Sequence, residues 1–298
     1  MSMPRFSYLA PRSLKEACAL LAEHGDKARL MAGGTDLLIR MSQRAMSPDY
    51  LIGLRNVSGL DRVEFDAGTG LAIGAMAPLS AVAEFEPVRR YYPALARSAG
   101  MTATVQIRNM GTVVGNLCNA APSADNASPL LVHDAEVRIV HPGGERTLPL
   151  AEFFRGPGLT ALEKGEIVRE VRVSPPGQRT GSSYQKLSAR SKVDIAAVGA
   201  AALVRLDEEG NCASVRIALG AVAPVPLRAR AAEKILAGQR PTDELLARTS
   251  ARAAEESSPI TDIRASGPYR RLMVEVLTAR ALREALDLAS ALQAGCEI

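Results

Sequence analysis

Two glycine-bearing segments hold the residues of this chain that are best suited to binding a ligand. The first, MAGGTD, spans residues 31–36, and the second, GTVVGNLCNAAPSAD, spans residues 111–125. Both are rich in small and short polar side chains, which leave the backbone bare and cannot fill a core by themselves. Two interpretations compete for the second segment: an irregular surface loop, or main chain laid against a flat, polar, phosphate-bearing ligand.

The first segment is typical of an anion-binding turn. An apolar, strand-like run precedes Gly33 and Gly34, and Thr35 stands at the start of a predicted helix. Successive backbone N–H groups in such a turn form a concavity for an anion, and the helix dipole adds partial positive charge. Many strand–helix turns contain two glycines, so this pattern does not by itself establish a phosphate site.

The second segment supplies short hydrogen-bonding side chains. Gly111 and Gly115 flank a β-branched trio that predicts a tight, extended piece of backbone. The polar residues that suit ribityl, ribose or ring-edge contacts are Thr112, Asn116, Ser123 and Asp125. Two such segments, roughly 80 residues apart, predict a dinucleotide held between two subdomains.

Other site chemistries find no support in the sequence. It contains no G-x-x-x-x-G-K-[ST] loop, no G-x-S-x-G elbow, no H-E-x-x-H and no G-x-G-x-x-G. The three histidines are isolated, and the four cysteines are far apart with no C-x-x-C pair. We therefore expect no catalytic acid–base residue and no metal site in this chain, and any iron–sulfur cluster must lie on another chain.

Composition narrows the class of protein further. The chain has 298 residues, a formal net charge of +4 and 4% aromatic residues, and its arginines are scattered. A nucleic-acid binder is expected to show a basic cluster or stacking aromatics, so no nucleic-acid partner is predicted. No apolar signal segment and no run near the length of a membrane span is found, which predicts a cytoplasmic protein without a membrane span.

Capping and periodicity predict the elements around the two segments. Ser13 and Glu16 form a capping box at the start of a helix that ends at Gly25. Strands are predicted at 28–32, 50–54, 71–75, 135–140, 194–207 and 214–222, and helices at 36–41, 79–85, 88–101, 228–238, 243–256 and from about 269 onward. The last helix is predicted to present one apolar face, formed by Leu272, Val276, Ala279, Leu282, Leu286 and Ala289. Prolines and glycines at 173–183 are predicted to break any regular element and to mark a domain boundary.

Several ordered motifs resemble one known family over nearly the whole chain. AGGTDLL is paired with QIRN-x-GT-x-x-GNLCNAAPSAD, and the likeness continues through residues 153–168, 184–202, 216–233 and 262–280. These motifs resemble the FAD-binding (medium) subunit of the molybdenum hydroxylases, of the carbon monoxide dehydrogenase and xanthine dehydrogenase type.

The resemblance implies an α+β fold. It implies a two-subdomain FAD-binding domain of the vanillyl-alcohol-oxidase (PCMH) type and a smaller C-terminal α/β domain of the CO dehydrogenase flavoprotein type. We expect the FAD-binding domain at residues 1–176, with subdomains at about 1–56 and 57–176, and the C-terminal domain at residues 177–298.

The resemblance also implies the cofactor contacts. The first loop is expected to face the pyrophosphate, and the second to face phosphate and ribityl groups. Asp125 is expected near the adenosine ribose and Lys186 near the isoalloxazine edge, where its alternative role is to pair with a carboxylate. The expected cofactor-binding residues are Ala32, Gly33, Gly34, Thr35, Asp36, Leu37, Thr112, Val113, Gly115, Asn116, Cys118, Ser123, Asp125 and Lys186.

Two positions depart from the family pattern. Val114 replaces one of two adjacent glycines, and a Cβ there limits φ and the approach of the backbone. Ile195 replaces the aromatic residue that some relatives place over the flavin ring, so any shielding would be aliphatic.

We expect the chain to bind FAD and to pass electrons from [2Fe-2S] clusters of a small subunit to an external acceptor. A large subunit would carry the molybdenum cofactor, and the complex is expected to be a dimer of heterotrimers. Two alternatives stay open: a stand-alone FAD-dependent oxidase or dehydrogenase of the same fold, and a flavin-free scaffold subunit.

Overall fold

The computed structural model describes residues 3–191 and 193–293 of the chain. Its first unit is a parallel three-stranded sheet with the strand order β1-β3-β2, formed by β1 (Ser7–Leu9), β2 (Ala28–Met31) and β3 (Tyr50–Gly53). Helix α1 (Leu14–His24) connects β1 to β2, and α2 (Leu37–Ser42) connects β2 to β3. The turn between β2 and α2 therefore lies at the carboxyl edge of this sheet.

Helix α1 begins and ends where the sequence predicts. The Ser13 hydroxyl accepts a hydrogen bond from the Glu16 backbone N–H at 3.1 Å, and Gly25 follows the last residue at φ +51°. The Glu16 carboxylate accepts from the Arg12 N–H at 2.8 Å, one residue before the position of an ideal capping box. Ala17 and Cys18 are buried on the inner face of this helix.

The second unit is an antiparallel five-stranded sheet with the strand order β4-β5-β10-β6-β7. Its strands are β4 (Val63–Asp66), β5 (Gly70–Gly74), β6 (Glu136–His141), β7 (Gly144–Pro149) and β10 (Ile167–Val173), with a short hairpin of β8 (Phe154–Gly156) and β9 (Leu159–Thr160). Between β5 and β6 lie α3 (Leu79–Glu84), α4 (Glu86–Tyr91), α5 (Pro93–Met101), α6 (Val105–Arg108), α7 (Val113–Cys118) and α8 (Ala127–Val132). Pro93 divides the helical segment predicted at 88–101, because α4 ends before it and α5 starts at it.

The third unit is an antiparallel four-stranded sheet covered by helices. Its strands are β11 (Thr180–Ser188), β12 (Ala196–Leu206), β13 (Cys212–Gly220) and β14 (Leu227–Arg228), in that order. The helices are α9 (Arg230–Leu236), α10 (Asp243–Glu256) and α11 (Gly267–Gln293).

Both faces of the third sheet are buried, which explains the almost continuous apolar run of β12. Val198, Ala200 and Ala202 belong to the core formed with α9–α11. Ala201 and Leu203, on the opposite face, belong to the core of the second unit. Helix α8 packs against this sheet and is buried on every side, so the segment before it is held between the units.

Two local predictions were wrong in this part of the chain. Residues 180–183 form the start of β11, although glycines and prolines predicted a break there. Glycine at position 181 allows α11 to pack against β11. A Cβ there would overlap the Ala285 carbonyl oxygen and lie 2.6 Å from the Ala289 nitrogen. Glycine thus lets α11 approach the strand closely.

The face of α11 that is buried differs from the predicted one. Leu272, predicted on the inner face, is 57% exposed. The buried face contains Val274, Leu277, Thr278, Ala281, Leu282, Ala285, Leu286 and Ala289. Leu272 thus lies outside the buried face, and Val276 and Ala279, also predicted on the inner face, are only half-buried.

Among the helices of residues 3–191 and 193–293, none combines the length and the hydropathy needed to cross a membrane.

Candidate functional site

A cavity of about 590 Å³ lies where the first and second units meet. Its walls include the turn after β2, the start of α7 and the segment that precedes α8. Val193, Asp194 and Ile195, in the loop before β12, line it from the third unit. The volume lies within the range of pockets that hold drug-sized ligands and cofactors.

The turn after β2 presents unpaired backbone donors to this cavity. Gly34 has φ +73°, a left-handed conformation that favours glycine. In the described part of the chain, the backbone N–H groups of Gly33, Gly34, Thr35 and Asp36 donate to no protein acceptor. Such a run of free N–H groups forms an anion-binding nest.

The second segment is a capped helix, so the prediction of an extended backbone was wrong for Val113 and Val114, and only Thr112 has extended dihedral angles. The Thr112 hydroxyl accepts from the Gly115 N–H at 2.9 Å and caps α7. Val113, Val114 and Leu117 are buried beneath the helix. This N-cap and the apolar face outweigh the low helix propensity of two valines and a glycine.

Val114 adopts an ordinary conformation in this helix. It is absent from the residues with positive φ in the described chain, and its side chain is 3% exposed. A glycine is therefore not required at position 114 by the local backbone.

The two loops are packed directly against each other. A Cβ on Gly33 would overlap the Met110 carbonyl oxygen and lie 2.6 Å from the Met110 carbonyl carbon. A Cβ on Gly111 would lie 3.2 Å from the Thr35 hydroxyl. Two segments distant in sequence thus form one continuous backbone surface, and glycine is needed at Gly33 for this approach.

Asp125 lies at the cavity wall as the acceptor of two buried donors. The Lys186 ammonium donates to Oδ2 at 2.8 Å, and the Tyr184 hydroxyl donates to Oδ1 at 2.8 Å. Burial raises the pKa of Asp125, and the charge of Lys186 opposes that shift. The Lys186 side chain is only 1% exposed, so this ion pair is largely shielded from water.

A second buried network orients Asn116. The backbone N–H of Asn126 donates to Asn116 Oδ1 at 3.3 Å, and the Asn126 amide nitrogen donates to the same oxygen at 3.1 Å. A backbone N–H can only donate, so the identity of the Asn116 oxygen is settled. The Asn116 amide NH₂ is thereby left as a donor at the cavity wall.

Burial holds two further titratable side chains neutral, those of Cys118 and His133. Burial raises the pKa of Cys118 to about 12, so this cavity-lining thiol stays protonated at neutral pH. Burial lowers the pKa of His133 to about 3, and its Nε2 lies 3.1 Å from the Ser182 hydroxyl. Neither is poised as a general base near neutral pH.

The predicted site residues collect at this cavity with two exceptions. Val113 is fully buried in the core, and Lys186 lies behind Asp125. The others that line the cavity are Ala32, Gly33, Gly34, Thr35, Asp36, Leu37, Thr112, Gly115, Asn116, Cys118, Ser123 and Asp125.

Sequence reasoning missed Tyr184 and Asn126, which hold two of these residues in place. Tyr184 precedes Lys186 by two positions, and alternate residues of a strand share a face, so this signal was available. For Asn126, the only signal in the sequence was its position next to Asp125. Its hydrogen-bonding partners Ser98, Thr102 and Asn116 lie elsewhere in the sequence, so no local pattern pointed to them.

Comparison with known proteins defines the class to which this fold and cavity belong. Residues 4–176 match the family model described as "FAD binding domain in molybdopterin dehydrogenase". Residues 183–285 match the model described as "CO dehydrogenase flavoprotein C-terminal domain". The chain belongs to the family of FAD-binding flavoprotein subunits of the molybdopterin dehydrogenases, which are oxidoreductases.

Individual relatives are similar over nearly their full length. The xanthine dehydrogenase FAD-binding subunit of Escherichia coli O157:H7 is 34% identical over 95% of this chain and 97% of its own. A solved structure of carbon monoxide dehydrogenase from Hydrogenophaga pseudoflava, which lacks the Mo-pyranopterin moiety of its cofactor, superposes with a TM-score of 0.93. It is 35% identical and covers 97% of this chain and 99% of its own. Quinoline 2-oxidoreductase from Pseudomonas putida 86 has a TM-score of 0.90 and 31% identity, covering 97% of this chain and 99% of its own.

Proposed function

We propose that this chain is the FAD-binding, electron-transferring subunit of a heteromeric molybdenum hydroxylase. The observation that carries the proposal is the cavity built from two backbone loops in a chain of this family. When bound, FAD supplies one- and two-electron redox chemistry, and the protein holds it and tunes its potential. A protein in this role needs binding groups and no acid–base catalyst of its own.

The residues present fit an FAD on grounds of donor chemistry. The free N–H groups of Gly33, Gly34 and Thr35 suit a pyrophosphate, which is anionic and accepts hydrogen bonds. The N–H group of Val114, in the first turn of α7, likewise has no acceptor among the described residues, whereas Val113 follows Thr112 in an isolated β-bridge to Pro78. We propose that Val113 contributes through its backbone only, since its side chain is buried.

The cavity also has polar and apolar side chains that suit the other parts of the cofactor. Asn116 and Asp125 offer an oriented donor and an oriented acceptor, which suit hydroxyl groups of the cofactor. Ile195 and Val193 are 54% and 49% exposed at the cavity and would shield a flat ring from water. The full proposed set is the one named from the sequence, with Lys186 acting through Asp125.

Lys186 and Asp125 are proposed to serve one end of the cofactor. The sequence-based roles assign them to the isoalloxazine edge and the adenosine ribose, which lie far apart in an extended FAD. The 2.8 Å hydrogen bond between the two side chains favours a shared role.

The proposed partners are a large molybdenum-cofactor subunit and a small [2Fe-2S] subunit, in a dimer of heterotrimers. The names of the relatives support a subunit role, since one is named as an FAD-binding subunit. Electrons would pass singly from the clusters to the flavin and then to an external acceptor. The relatives are named for xanthine, carbon monoxide and quinoline, which supports substrate selection by the large subunit.

We further propose the domain limits 1–176 and 177–298 and a cytoplasmic location. The separate sheet of β11–β14 supports the domain limits.

Two measurements test the function. The purified chain, incubated with FAD and desalted, is expected to show the two visible absorption bands of oxidised flavin. Absence of these bands would support the flavin-free scaffold. Purification from the native host is expected to bring down two further chains, one with molybdenum and one with iron; a lone flavoprotein with its own substrate turnover would support the stand-alone oxidase.

The cap of α7 allows a matched test of the second loop. Thr112→Ala is expected to cost about 1 kcal/mol in the free energy of unfolding, because it removes the N-cap hydroxyl. It should also weaken FAD binding, since the first turn of α7 is part of the cavity wall. Denaturant unfolding and FAD titration measure the two effects.

Thr242→Ala is the matched control. Thr242 caps α10 in the same way, accepting from the Leu245 N–H at 3.2 Å, and lies outside the cavity. We expect a similar loss of stability with unchanged FAD affinity. Equal FAD affinities of the two variants would argue against a role for the second loop.

A further inference from the structure

The carboxylate of Asp125 connects the FAD cavity to the C-terminal sheet. Asp125 belongs to the segment that lines the cavity, whereas its two donors, Tyr184 and Lys186, both come from β11. Tyr184 is 1% exposed, so its hydroxyl has no access to bulk water and depends on Asp125 for a partner. Lys186 has a place in the proposed cofactor set, and Tyr184 has none.

The geometry of β11 places the Tyr184 hydroxyl beside the Asp125 carboxylate. Residues 184 and 186 share one face of β11, because side chains alternate along a strand. Lys186 pairs with Gly199 across the sheet. A Cβ at Gly199 would lie 3.0 Å from the Tyr184 hydroxyl, so the glycine leaves the space that this hydroxyl occupies.

The two donors fix the carboxylate in one orientation. An ionised carboxylate has about four lone-pair positions, and Tyr184 and Lys186 occupy one on each oxygen. The positions that remain are therefore held in a fixed direction at the cavity wall. With Lys186 alone, one oxygen would keep no partner and the group could rotate about its Cβ–Cγ bond.

We propose that Tyr184 is a positioning residue for FAD, which holds the Asp125 carboxylate so that its free lone pairs accept from a cofactor hydroxyl. The C-terminal domain thereby completes the FAD site. This inference rests on the proposed function, because it takes Asp125 as a cofactor contact.

The same geometry gives a pH signature. Asp125 must be ionised to accept from a hydroxyl while it holds both donors. Its pKa is raised by burial and lowered by Lys186 and by the Tyr184 hydrogen bond. Its hydrogen-bonding partners are Lys186 and Tyr184 from β11. The other titratable or charged side chains that line the cavity are those of Asp36, Arg40, Cys118 and Asp194. Burial raises the pKa of both Asp36 and Cys118.

Tyr184→Phe tests the proposal in the full chain. The ring and its packing are retained, and only the donor is lost. We expect the Kd for FAD at neutral pH to rise about tenfold, the effect of losing one hydrogen bond to a charged group. The pKa of Asp125 should rise, so FAD affinity should begin to fall at a higher pH than in the wild type as the solution is acidified.

Tyr92→Phe is the matched control. Tyr92 is fully buried, and its hydroxyl donates to the Ser174 carbonyl oxygen at 2.9 Å, outside the cavity. We expect this variant to keep the wild-type Kd and the wild-type pH profile of FAD binding.

Each outcome decides between the claims. A wild-type chain that binds no FAD overturns the proposed function. A wild type that binds, with Tyr184→Phe equal to it in Kd and pH profile, overturns the positioning role alone. Equal losses in Tyr184→Phe and Tyr92→Phe, or failure of Tyr184→Phe to fold, would make the hydroxyl a general folding determinant and also overturn it.

Discussion

Gly33→Ala is expected to lower the affinity for FAD by about 100-fold or more, which corresponds to about 3 kcal/mol. The added Cβ overlaps the Met110 carbonyl oxygen, so the two cavity loops must move apart. The obstacle is backbone, which cannot rotate away as a flexible side chain could. We also expect a loss of about 2 kcal/mol in unfolding free energy, typical of overpacking.

Gly100→Ala is the matched control, because it adds the same methyl group to a glycine that does not line the cavity. The nearest atom to a Cβ there is Ala83 Cβ, at 3.8 Å, an ordinary contact. Gly100 lies within α5, where alanine is favoured over glycine by up to about 1 kcal/mol. FAD titration and denaturant unfolding should therefore separate the two variants. Wild-type FAD affinity in Gly33→Ala would show that the close approach of the loops is not needed.

Lys186→Met is expected to destabilise the chain by about 3 to 5 kcal/mol, because it leaves Asp125 as a buried charge without a cation. Methionine keeps most of the aliphatic volume, so the loss reports the charge. The matched control is Lys164→Met, whose pair with Asp26 is exposed on both sides. We expect little change there, as surface pairs contribute little.

The effect of Lys186→Met should depend on pH with a definite sign. Asp125 has a folded pKa above its ordinary value, so the folded chain binds this proton more tightly than the unfolded chain. Its contribution to stability is fully present below the unfolded pKa and is lost as the pH rises through the folded pKa. Removing Lys186 raises the folded pKa further, so the deficit should be largest at neutral pH and shrink toward about pH 4.

Adding Asp125→Asn to Lys186→Met should recover most of the lost stability, since no buried charge then remains. Chemical unfolding of the apo chain at several pH values measures the deficit, and the double variant completes a thermodynamic cycle. A deficit that is constant with pH and persists in the double variant would mean that packing, not charge, causes the loss.

The predictable elements are those with strong local signals. Helix α10 has the bounds predicted for it, and Thr242 caps it. The strand, glycine turn and helix around Gly33 also appear where the local pattern places them. These features follow from capping, turn chemistry and periodicity within a few residues of one another.

The errors fall where distant contacts outweigh local preference. Val113 and Val114 favour an extended chain, yet Thr112 caps a helix there and the core accepts its apolar face. Gly181 is a residue type that interrupts regular structure, yet it lies within β11, where α11 packs against it. In both cases the burial of apolar surface exceeds the small differences in intrinsic propensity.

The sequence by itself determined the family, the two glycine loops and the polar residues that follow them. It did so because small residues at fixed spacing preserve the backbone geometry that a phosphate or ribityl group needs. The tertiary structure decided how these parts meet: Gly33 against Met110, and Asp125 between Tyr184 and Lys186. Contacts across 59 and 61 residues depend on how two units pack, and no local periodicity encodes the partner of a buried hydroxyl or carboxylate.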